Sequence, residues 1–243
     1  MERRAHTPEH LDGPLADRAM LTGNLRDLRR VNRFLGGTAL SRRAIDALLA
    51  STVSAASAIA DASPVRLLDV GTGAADIPIA LLASWKAAGR RLEVTAVDSR
   101  PEVIAAARVD AEADAVSGLD LAVADGLALP YPDVFFDIAH ASLVLHHLEP
   151  DAAVALLREM ARVARLGVVI NDLARGWLAW LGAWLLAHVA TGNAFTRHDA
   201  PLSVRRAYTA AEASAMLELA GLRAVYETKG FLGHRWAMAA RAR

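Results

Sequence analysis

The chain has 243 residues, 54% of them hydrophobic, which is enough apolar material for one α/β domain with extensions. Its formal net charge is zero, so no overall field attracts it to nucleic acid or to an anionic membrane. It contains no cysteine, which excludes disulfides and thiolate metal sites. Residues 1–14 lack the apolar core of a signal peptide, so we expect a cytoplasmic protein whose residues 1–13 are loosely attached.

Two helices are predicted near the start of the chain. Apolar residues recur at helical spacing over about 14–35, and a second helix is predicted over about 41–59. The two helices either cover a ligand site or only pack on the sheet, and both interpretations stay open. Arg30, Asn32 and Arg33 are expected on a solvated face of the first helix rather than at a ligand.

The segment VRLLDVGTGAADIPI, residues 65–79, predicts a buried strand, a glycine turn and a helix. Its first residues form an apolar run typical of a strand buried on both faces of a parallel sheet. Gly71 and Gly73 let the backbone turn without a side chain in the way, and Pro78 fits only the first turn of a helix. The free N–H groups at the helix start then predict a site for the polar end of a ligand.

Two acids in this segment, Asp69 and Asp76, indicate which class of ligand it binds. Asp76 stands where a dinucleotide fingerprint has its third glycine. Asp69 lies inside the strand end, where a carboxylate repels a pyrophosphate but suits the ammonium group of a bound amino acid. From this segment alone, a nucleotide-binding Rossmann domain of another kind stays an alternative.

Two further acids follow at the ends of later strands. Asp98 closes the predicted strand over 92–97, where a carboxylate can accept hydrogen bonds from both hydroxyls of a ribose, as it also does in NAD enzymes. Asp125 lies in VADGLALPYPDVFFD, residues 123–137, and a turn-forming Asp-Gly is the plainer explanation of it. The spacing from Gly73 to these two acids fits two successive βα units.

Together, these three segments resemble the motifs of class I S-adenosylmethionine-dependent methyltransferases over about residues 60–170. The resemblance implies a Rossmann-like α/β fold: a mostly parallel seven-stranded sheet with helices on both faces, an antiparallel last strand and an N-terminal helical extension. It implies S-adenosylmethionine as the cofactor, with Asp125 at the adenine amino group. The residues that it implies for cofactor binding are Asp69, Gly71, Thr72, Gly73, Asp98, Ser99, Asp125, Gly126 and Ala141.

The candidate catalytic residues follow from the same resemblance and from acid–base chemistry. The family often carries a Leu-His-His-Leu run close to the methyl donor, and here it is SLVLHHLEP. A phenolic or enolic acceptor, with a phenol pKa of about 10, needs a base, and histidine is the natural one. We rank His147, His146 and His198 in that order. Asp172, near the end of a strand predicted over 167–173, is either an orienting carboxylate or a helix cap. No metal ligand set is predicted.

Residues 176–190, GWLAWLGAWLLAHVA, predict a helix that is apolar all round, with Trp177, Trp180 and Trp184 on one face. It is too short to span a bilayer, which needs about twenty apolar residues. Three interpretations stay open: a lid over an apolar acceptor, which we favour, a buried core helix, or a surface that rests on a membrane or partner. A polar loop is predicted over 191–206.

The C-terminal part of the chain predicts a capped helix over 210–220 and two last strands, over about 222–229 and 235–241. No repeat or linker indicates a second domain. We therefore expect an N-terminal helical extension over 1–60 and a methyltransferase domain over 61–243. A helical lid insertion is expected within that domain at about 174–208.

The resemblance to methyltransferases of quinone and polyketide biosynthesis predicts O-methylation of a phenolic or enolic hydroxyl on a hydrophobic small molecule. C-methylation in quinone biosynthesis and a non-catalytic cofactor-binding subunit are alternatives. An NAD(P)-dependent oxidoreductase with a Tyr-x-x-x-Lys pair is a further one, but neither Lys86 nor Lys229 has a tyrosine four residues before it. No nucleic-acid partner is expected, peripheral membrane contact stays open, and the chain is expected to be a monomer or homodimer.

Overall fold

A seven-stranded sheet organises the chain, as shown by a computed structural model that describes residues 4–13, 17–51 and 63–243. Its strands run in the spatial order β3-β2-β1-β4-β5-β7-β6. The first five strands are parallel, and β7 pairs antiparallel with both β5 and β6. The predicted class of fold is thereby confirmed. The strands are β1 (Val65–Val70), β2 (Leu92–Asp98), β3 (Leu119–Val123), β4 (Phe136–Ser142), β5 (Ala164–Leu173), β6 (Leu222–Lys229) and β7 (Arg235–Ala242).

Helices cover both faces of this sheet. Successive residues of β1 show the two faces: Leu67 packs in the apolar cluster that includes Leu48 and Leu81, and Leu68 packs in the cluster that includes Met160. Both leucines are buried, as expected for a central strand of a parallel sheet. The helices are α1 (Arg18–Phe34), α2 (Gly37–Ala50), α3 (Asp76–Ala87), α4 (Pro101–Ala113), α5 (Pro150–Val163), α6 (Trp177–Ala190), α7 (Ala194–Arg206) and α8 (Ala210–Leu219).

The helix boundaries near the N-terminus differ from those predicted. Helix α1 begins at Arg18 because the side chain of Asp17 caps it, accepting from the N–H groups of Ala19 and Met20. Helix α2 begins at Gly37, four residues before the predicted start, and residues 52–59 of that prediction lie outside the described residues.

The polar loop predicted over 191–206 is wrong, because most of it forms helix α7. The side chain of Asn193 caps the helix, and the buried face of α7 is largely polar. Asp199 on that face accepts hydrogen bonds from the backbone N–H groups of His10, at 2.9 Å, and Leu11, at 3.0 Å. A helix that buries polar groups against another chain segment has no apolar period, so sequence spacing does not reveal it.

The same contacts overturn the expectation of loose attachment for residues 4–13, and residues 1–3 of that expectation lie outside the described residues. In the described residues 4–13, the Arg4 guanidinium donates to the backbone carbonyls of His146 and Leu148, both at 2.8 Å. The segment therefore lies across the loop after β4 and against α7.

Helix α6 forms where predicted, but the core interpretation of it is wrong. Of its fourteen residues only Ala187 is buried, and the side chains of Trp177 and Val189 are 62% and 85% exposed. Across the described part of the chain, no helix has both the length and the apolar composition needed to cross a bilayer.

Candidate cofactor and acceptor site

A cavity of about 1620 Å³ opens at the carboxyl ends of the parallel strands. Its floor comes from residues at or just after the carboxyl ends of β1, β2 and β4, including Gly71, Asp98 and Ser142. Helices α1, α6 and α7, the N-terminal segment and the turn before β7 surround it. In open α/β sheets this end of the strands is where ligands bind.

The glycine turn after β1 has no space for a side chain at Gly71 and has open space beside Gly73. Gly71 has φ +69°, and a Cβ atom there would lie 2.5 Å from Cγ2 of Val144. Gly73 has φ +55°, and its N–H donates to the Asp98 carboxylate at 3.2 Å. The buried hydroxyl of Thr72 has no hydrogen-bond partner in the described structure. The turn thus presents backbone and one unpaired hydroxyl to the cavity.

Asp98 faces the cavity from the end of β2. Its Oδ1 accepts from the N–H of Arg100 at 3.0 Å and its Oδ2 from the N–H of Gly73. Burial raises the pKa of Asp98, and these two N–H groups oppose that shift. Because each carboxylate oxygen has a second lone pair, both can still accept a hydroxyl.

Four of the nine predicted cofactor residues do not line the cavity. Asp125 is exposed and accepts from the N–H of Leu127 at 2.9 Å, which is the contact of a turn-forming aspartate. Gly126 lies against Val70, Ala141 is buried in β4, and Asp69 is buried in β1. The roles of these four in cofactor binding stay predictions. The five that do line the cavity are Gly71, Thr72, Gly73, Asp98 and Ser99.

Asp69 ends a buried chain of hydrogen bonds whose proton positions can be assigned. The Asn171 amide donates to the carbonyl of Gly37 at 2.8 Å and to the Ser41 hydroxyl at 2.9 Å. The Ser41 hydroxyl is therefore free to donate to Nε2 of His140, at 2.8 Å, and His140 Nδ1–H donates to Asp69 at 2.5 Å. This Ser-His-Asp series is fully buried, so it orients Asp69 and does not meet a substrate.

His146 and Asp172 form a buried pair at the cavity. Nδ1 of His146 lies 2.6 Å from Oδ1 of Asp172, and the His146 N–H donates to Oδ2 at 3.2 Å. Burial alone would raise the pKa of Asp172, but the charge and hydrogen bonds of His146 outweigh burial and lower it. Asp172 thus stays ionised and leaves Nε2 of His146 available.

The other two candidate histidines have different surroundings. His147 also lines the cavity, and its Nδ1 lies 2.7 Å from Asp12, which also pairs with Arg206. His198 does not line the cavity, and its Nδ1 lies 2.7 Å from Asp199. The structure therefore brings His146, His147 and Asp172 together and leaves His198 apart.

Two residues of this site have no signal in the sequence: Glu9 and Arg206. Glu9 is 5% exposed, its Oε1 has no hydrogen-bond partner in the described structure, and it lies 3.8 Å from both Nε2 of His146 and Nη1 of Arg206. Burial raises the pKa of Glu9 to about 7. Sequence reasoning missed Glu9 and Arg206 because they become neighbours only when residues 4–13 pack against α7.

Glu9, His146 and His147 also place possible metal-ligand atoms within 4.8 Å of one another. Carboxylate and imidazole are common ligands of transition metals. The adjacent Arg206 guanidinium already supplies positive charge to Glu9 and would oppose a cation there.

The raised pKa of Glu9 predicts a pH-dependent stability that Glu9→Gln should remove. Between the ordinary pKa of 4.5 and about 7, the folded protein binds more protons than the unfolded chain, so the free energy of unfolding falls as pH rises. Above this range we expect Glu9→Gln to be more stable than the parent by roughly 1–3 kcal/mol, measured by chemical denaturation. If the free energy of unfolding changed with pH equally in the two proteins across that range, the raised pKa of Glu9 would be contradicted.

The cavity wall on the acceptor side comes from α6, but not from its tryptophans. Leu178, Ala183 and Leu186 line the cavity, whereas Trp177 and Trp184 do not and are largely exposed. The Leu and Ala face of the helix thus borders the cavity, and the lid interpretation stays a prediction.

The end of α1 also enters the cavity wall. Asn32 is buried, donates to Asp76 at 3.4 Å and accepts from Nη2 of Arg235 at 2.9 Å, so the expected solvated position is wrong for Asn32. Arg30 and Arg33 are exposed, as expected, but Arg30 also borders the cavity. Arg235 is 1% exposed, and burial lowers its pKa to about 10.

Comparisons with known proteins place this fold in a class. Residues 67–167 match the family described as a methyltransferase domain. A demethylmenaquinone methyltransferase of Thermus thermophilus is 37% identical over 112 residues, which are 45% of this chain and 43% of that protein. The match thus spans less than half the length of that relative.

Solved structures show the same fold. The mitomycin 7-O-methyltransferase MmcR has a TM-score of 0.58 and 19% identity, covering 94% of this chain and 61% of that one. A SAM-dependent methyltransferase from Aquifex aeolicus has a TM-score of 0.54 and 21% identity, covering 76% of this chain and 87% of that one.

Residues 67–167 therefore match a methyltransferase domain, and the sheet has the fold of class I S-adenosylmethionine-dependent methyltransferases. S-adenosylmethionine is the cofactor of the class, as the three motifs predicted. The site fits it: the glycine turn has space for a ligand, Asp98 can accept two hydroxyls, and the Thr72 hydroxyl is unpaired. The match to a methyltransferase decides against the oxidoreductase alternative.

Proposed function

We propose that the protein methylates the hydroxyl oxygen of a hydrophobic phenol or enol. The observation that carries this proposal is the buried His146–Asp172 pair, whose His146 lines the same cavity as the glycine turn and Asp98. When bound, S-adenosylmethionine supplies a methyl group already activated by its sulfonium. What the protein must add is a deprotonated and aligned acceptor in a dry pocket.

His146 is the proposed base. Nε2 of the ring is left free by the hydrogen bond of Nδ1 to Asp172, and it accepts the proton of the acceptor hydroxyl. Asp172 holds the ring in this orientation and stabilises the imidazolium that forms. The lowered pKa of Asp172 keeps its carboxylate negative throughout.

Arg235 is the proposed partner of the anionic acceptor oxygen. It lines the cavity, and its Nε and Nη1 have no hydrogen-bond partner among the described residues, although the side chain is buried. A buried guanidinium with two unpaired N–H groups favours an anion. A phenolate or enolate held there is deprotonated more easily, since the positive charge stabilises the product of proton transfer.

The rest of the cavity favours an apolar acceptor body. Leu28 and Val31 of α1 face it together with Leu178, Ala183 and Leu186 of α6. These side chains offer no hydrogen bonds, so a ring or alkyl chain is the group that they accommodate best.

C-methylation of a quinol ring is the second candidate. The relative named as a demethylmenaquinone methyltransferase favours it. The same base would serve, because removing the proton of a ring hydroxyl makes the adjacent carbon nucleophilic. The position of the new methyl group in the product, determined by NMR, separates the two candidates.

The experiment that tests the proposal is a mass-spectrometric screen with isotopically labelled S-adenosylmethionine against phenols, quinols and polyketide pyrones. We expect labelled product from acceptors that combine a hydroxylated ring with an apolar tail. Tight S-adenosylhomocysteine binding without product from any acceptor would instead indicate a non-catalytic cofactor-binding subunit.

Filling the acceptor side of the cavity should separate acceptor binding from cofactor binding. Ala183→Trp adds a large side chain to the cavity wall, so we expect the KM for a long-tailed acceptor to rise about tenfold or more, with unchanged S-adenosylhomocysteine affinity. Leu185→Trp, on the exposed face of the same helix, is the matched control. Equal KM values for the two variants would place the acceptor elsewhere.

A further inference from the structure

The exposed apolar side chains of this protein are concentrated around the cavity mouth. Eleven of the seventeen large apolar residues exposed in the described structure belong to three places: the end of α1, helix α6 and the turn over residues 230–234. We call this set the apolar rim. Its most exposed members outside α6 are Phe34, Phe231 and Leu232, at 75%, 82% and 76%.

Three hydrogen bonds hold the parts of the apolar rim side by side. The N–H of Ala174, just before α6, donates to the carbonyl of His234 at 3.0 Å. At the other end of α6, the Thr191 hydroxyl donates to Asp27 of α1 at 2.5 Å. Arg235, after the turn, donates to Asn32 near the end of α1. The three parts therefore form one continuous border of the mouth.

The apolar rim costs free energy in water and is unusual for an isolated surface. Helix α6 has no acidic, lysine or arginine side chain, and ten of its fourteen residues are exposed. In the turn, Leu232 adopts φ +55°, a conformation unfavourable for a bulky residue, at a position that presents its side chain to solvent. Contiguous exposed apolar surface of this kind marks an interaction site.

The charges around the apolar rim are basic, although the whole chain is neutral. Residues 18–43 contain seven arginines and a single acid, Asp27, which is buried. Residues 173–198 contain no acid and one exposed arginine, Arg197, since the Arg175 side chain is buried and pairs with Glu212. Arg30 and Arg33 near the end of α1 are exposed. A partner with a negative surface and an apolar interior complements this arrangement.

We propose that the apolar rim is a docking surface for an anionic lipid bilayer, with the cavity mouth facing the membrane. Tryptophan is suited to the interface of a bilayer, where its ring is in contact with lipid and its N–H with polar headgroups, and α6 presents Trp177 and Trp184 there. Basic side chains next to inserted apolar groups add attraction to anionic headgroups.

A second copy of this chain fits the apolar rim less well. A two-fold dimer places the same surface patch of both copies face to face. The exposed arginines of α1 would then meet their own symmetry mates, and like charges would repel. A bilayer with anionic headgroups has the opposite charge, so it satisfies both the apolar and the basic side chains.

Docking has a consequence for substrate access, and this consequence rests on the proposed function. The mouth enclosed by the apolar rim leads to the apolar wall formed by α1 and α6. An acceptor with an apolar tail would pass from the bilayer into the cavity without crossing water. Docking itself does not depend on this route, because it needs no acceptor.

The test is cosedimentation of the full chain with vesicles, without any acceptor. We expect binding to vesicles of equal parts phosphatidylcholine and phosphatidylglycerol, and weaker binding to pure phosphatidylcholine. The triple variant Trp177→Ser, Leu185→Ser and Val189→Ser should bind at least about tenfold more weakly, since three exposed apolar groups are lost. Arg33→Glu combined with Arg43→Glu should weaken binding to the anionic vesicles about tenfold or more.

Matched controls lie at the other end of the molecule. Leu219→Ser removes an equally exposed apolar side chain after α8, and Arg223→Glu reverses a charge at the far end of β6. Both should bind vesicles as the parent does. Absence of parent binding, or equal weakening by controls and rim variants, would overturn the proposal. A concentration-dependent dimer that the triple variant abolishes, with no vesicle binding, would assign the surface to a second copy instead.

Discussion

Replacing His146 by alanine is expected to lower turnover by about a hundred- to ten-thousand-fold while leaving S-adenosylhomocysteine affinity nearly unchanged. The reason is the loss of the base whose Nε2 is left free by the bond of Nδ1 to Asp172. Single-turnover kinetics with saturating cofactor measures the effect, and calorimetry measures the affinity. Added imidazole should restore part of the rate, because the substitution leaves a space beside Asp172.

The substitution also leaves Asp172 buried without its partner, which costs stability. The double variant His146→Ala with Asp172→Asn removes that charge and keeps the test independent of folding. His147→Ala and His198→Ala are the controls: the first lines the cavity beside Asp12, and the second lies outside it. Turnover unaffected in the His146 variants would mean that proximity alone drives transfer, and a larger loss in His147→Ala would move the base to His147.

Replacing Asp98 by alanine is expected to weaken S-adenosylhomocysteine binding by roughly 2–4 kcal/mol, because two charge-assisted hydrogen bonds to a ribose disappear. Asp98 lines the cavity with both oxygens oriented by backbone N–H groups. Calorimetry measures the loss, and the melting temperature checks that the glycine turn survives.

Asp125→Ala is the matched control for Asp98, since both acids follow strands and the resemblance implies both as cofactor ligands. In the structure Asp125 is exposed and bonds to the N–H of Leu127 outside the cavity. We expect its replacement to change affinity by less than about 1 kcal/mol. An equal loss for the two variants would instead support Asp125 as the adenine ligand, and an unchanged affinity for Asp98→Ala would exclude Asp98 from the ribose.

The sequence alone was sufficient to predict those features that depend on residues close together in the chain. The apolar run over 65–70, the two glycines after it and the acid at the end of the next strand lie within short segments. A buried parallel strand requires continuous apolar residues, and a tight turn requires glycine, so these patterns can be recognised without knowing what packs against them. The sheet and the Asp98 end of the cavity were predictable for this reason.

Features made by residues distant in the chain were decided by the tertiary structure. The sequence analysis ranked His147 ahead of His146, whereas in the structure it is Nδ1 of His146 that bonds to Asp172, 26 residues away in the chain. Glu9 and Arg235 enter the cavity only through contacts with segments that no spacing rule connects. Helix α7 was missed because it buries polar groups, and helical periodicity detects only apolar faces.

Helix α6 shows, within one segment, which features the sequence determined and which the tertiary structure decided. Its composition determined that it is a helix and that it is apolar all round, because local propensity and hydropathy are properties of the residues themselves. Which face meets the cavity and which meets solvent depends on the neighbours that the fold supplies. Helix α7 packs against α6, Leu178 and Leu186 face the cavity, and Trp177 and Trp184 lie outside it, so exposure, unlike hydropathy, was set by the tertiary structure.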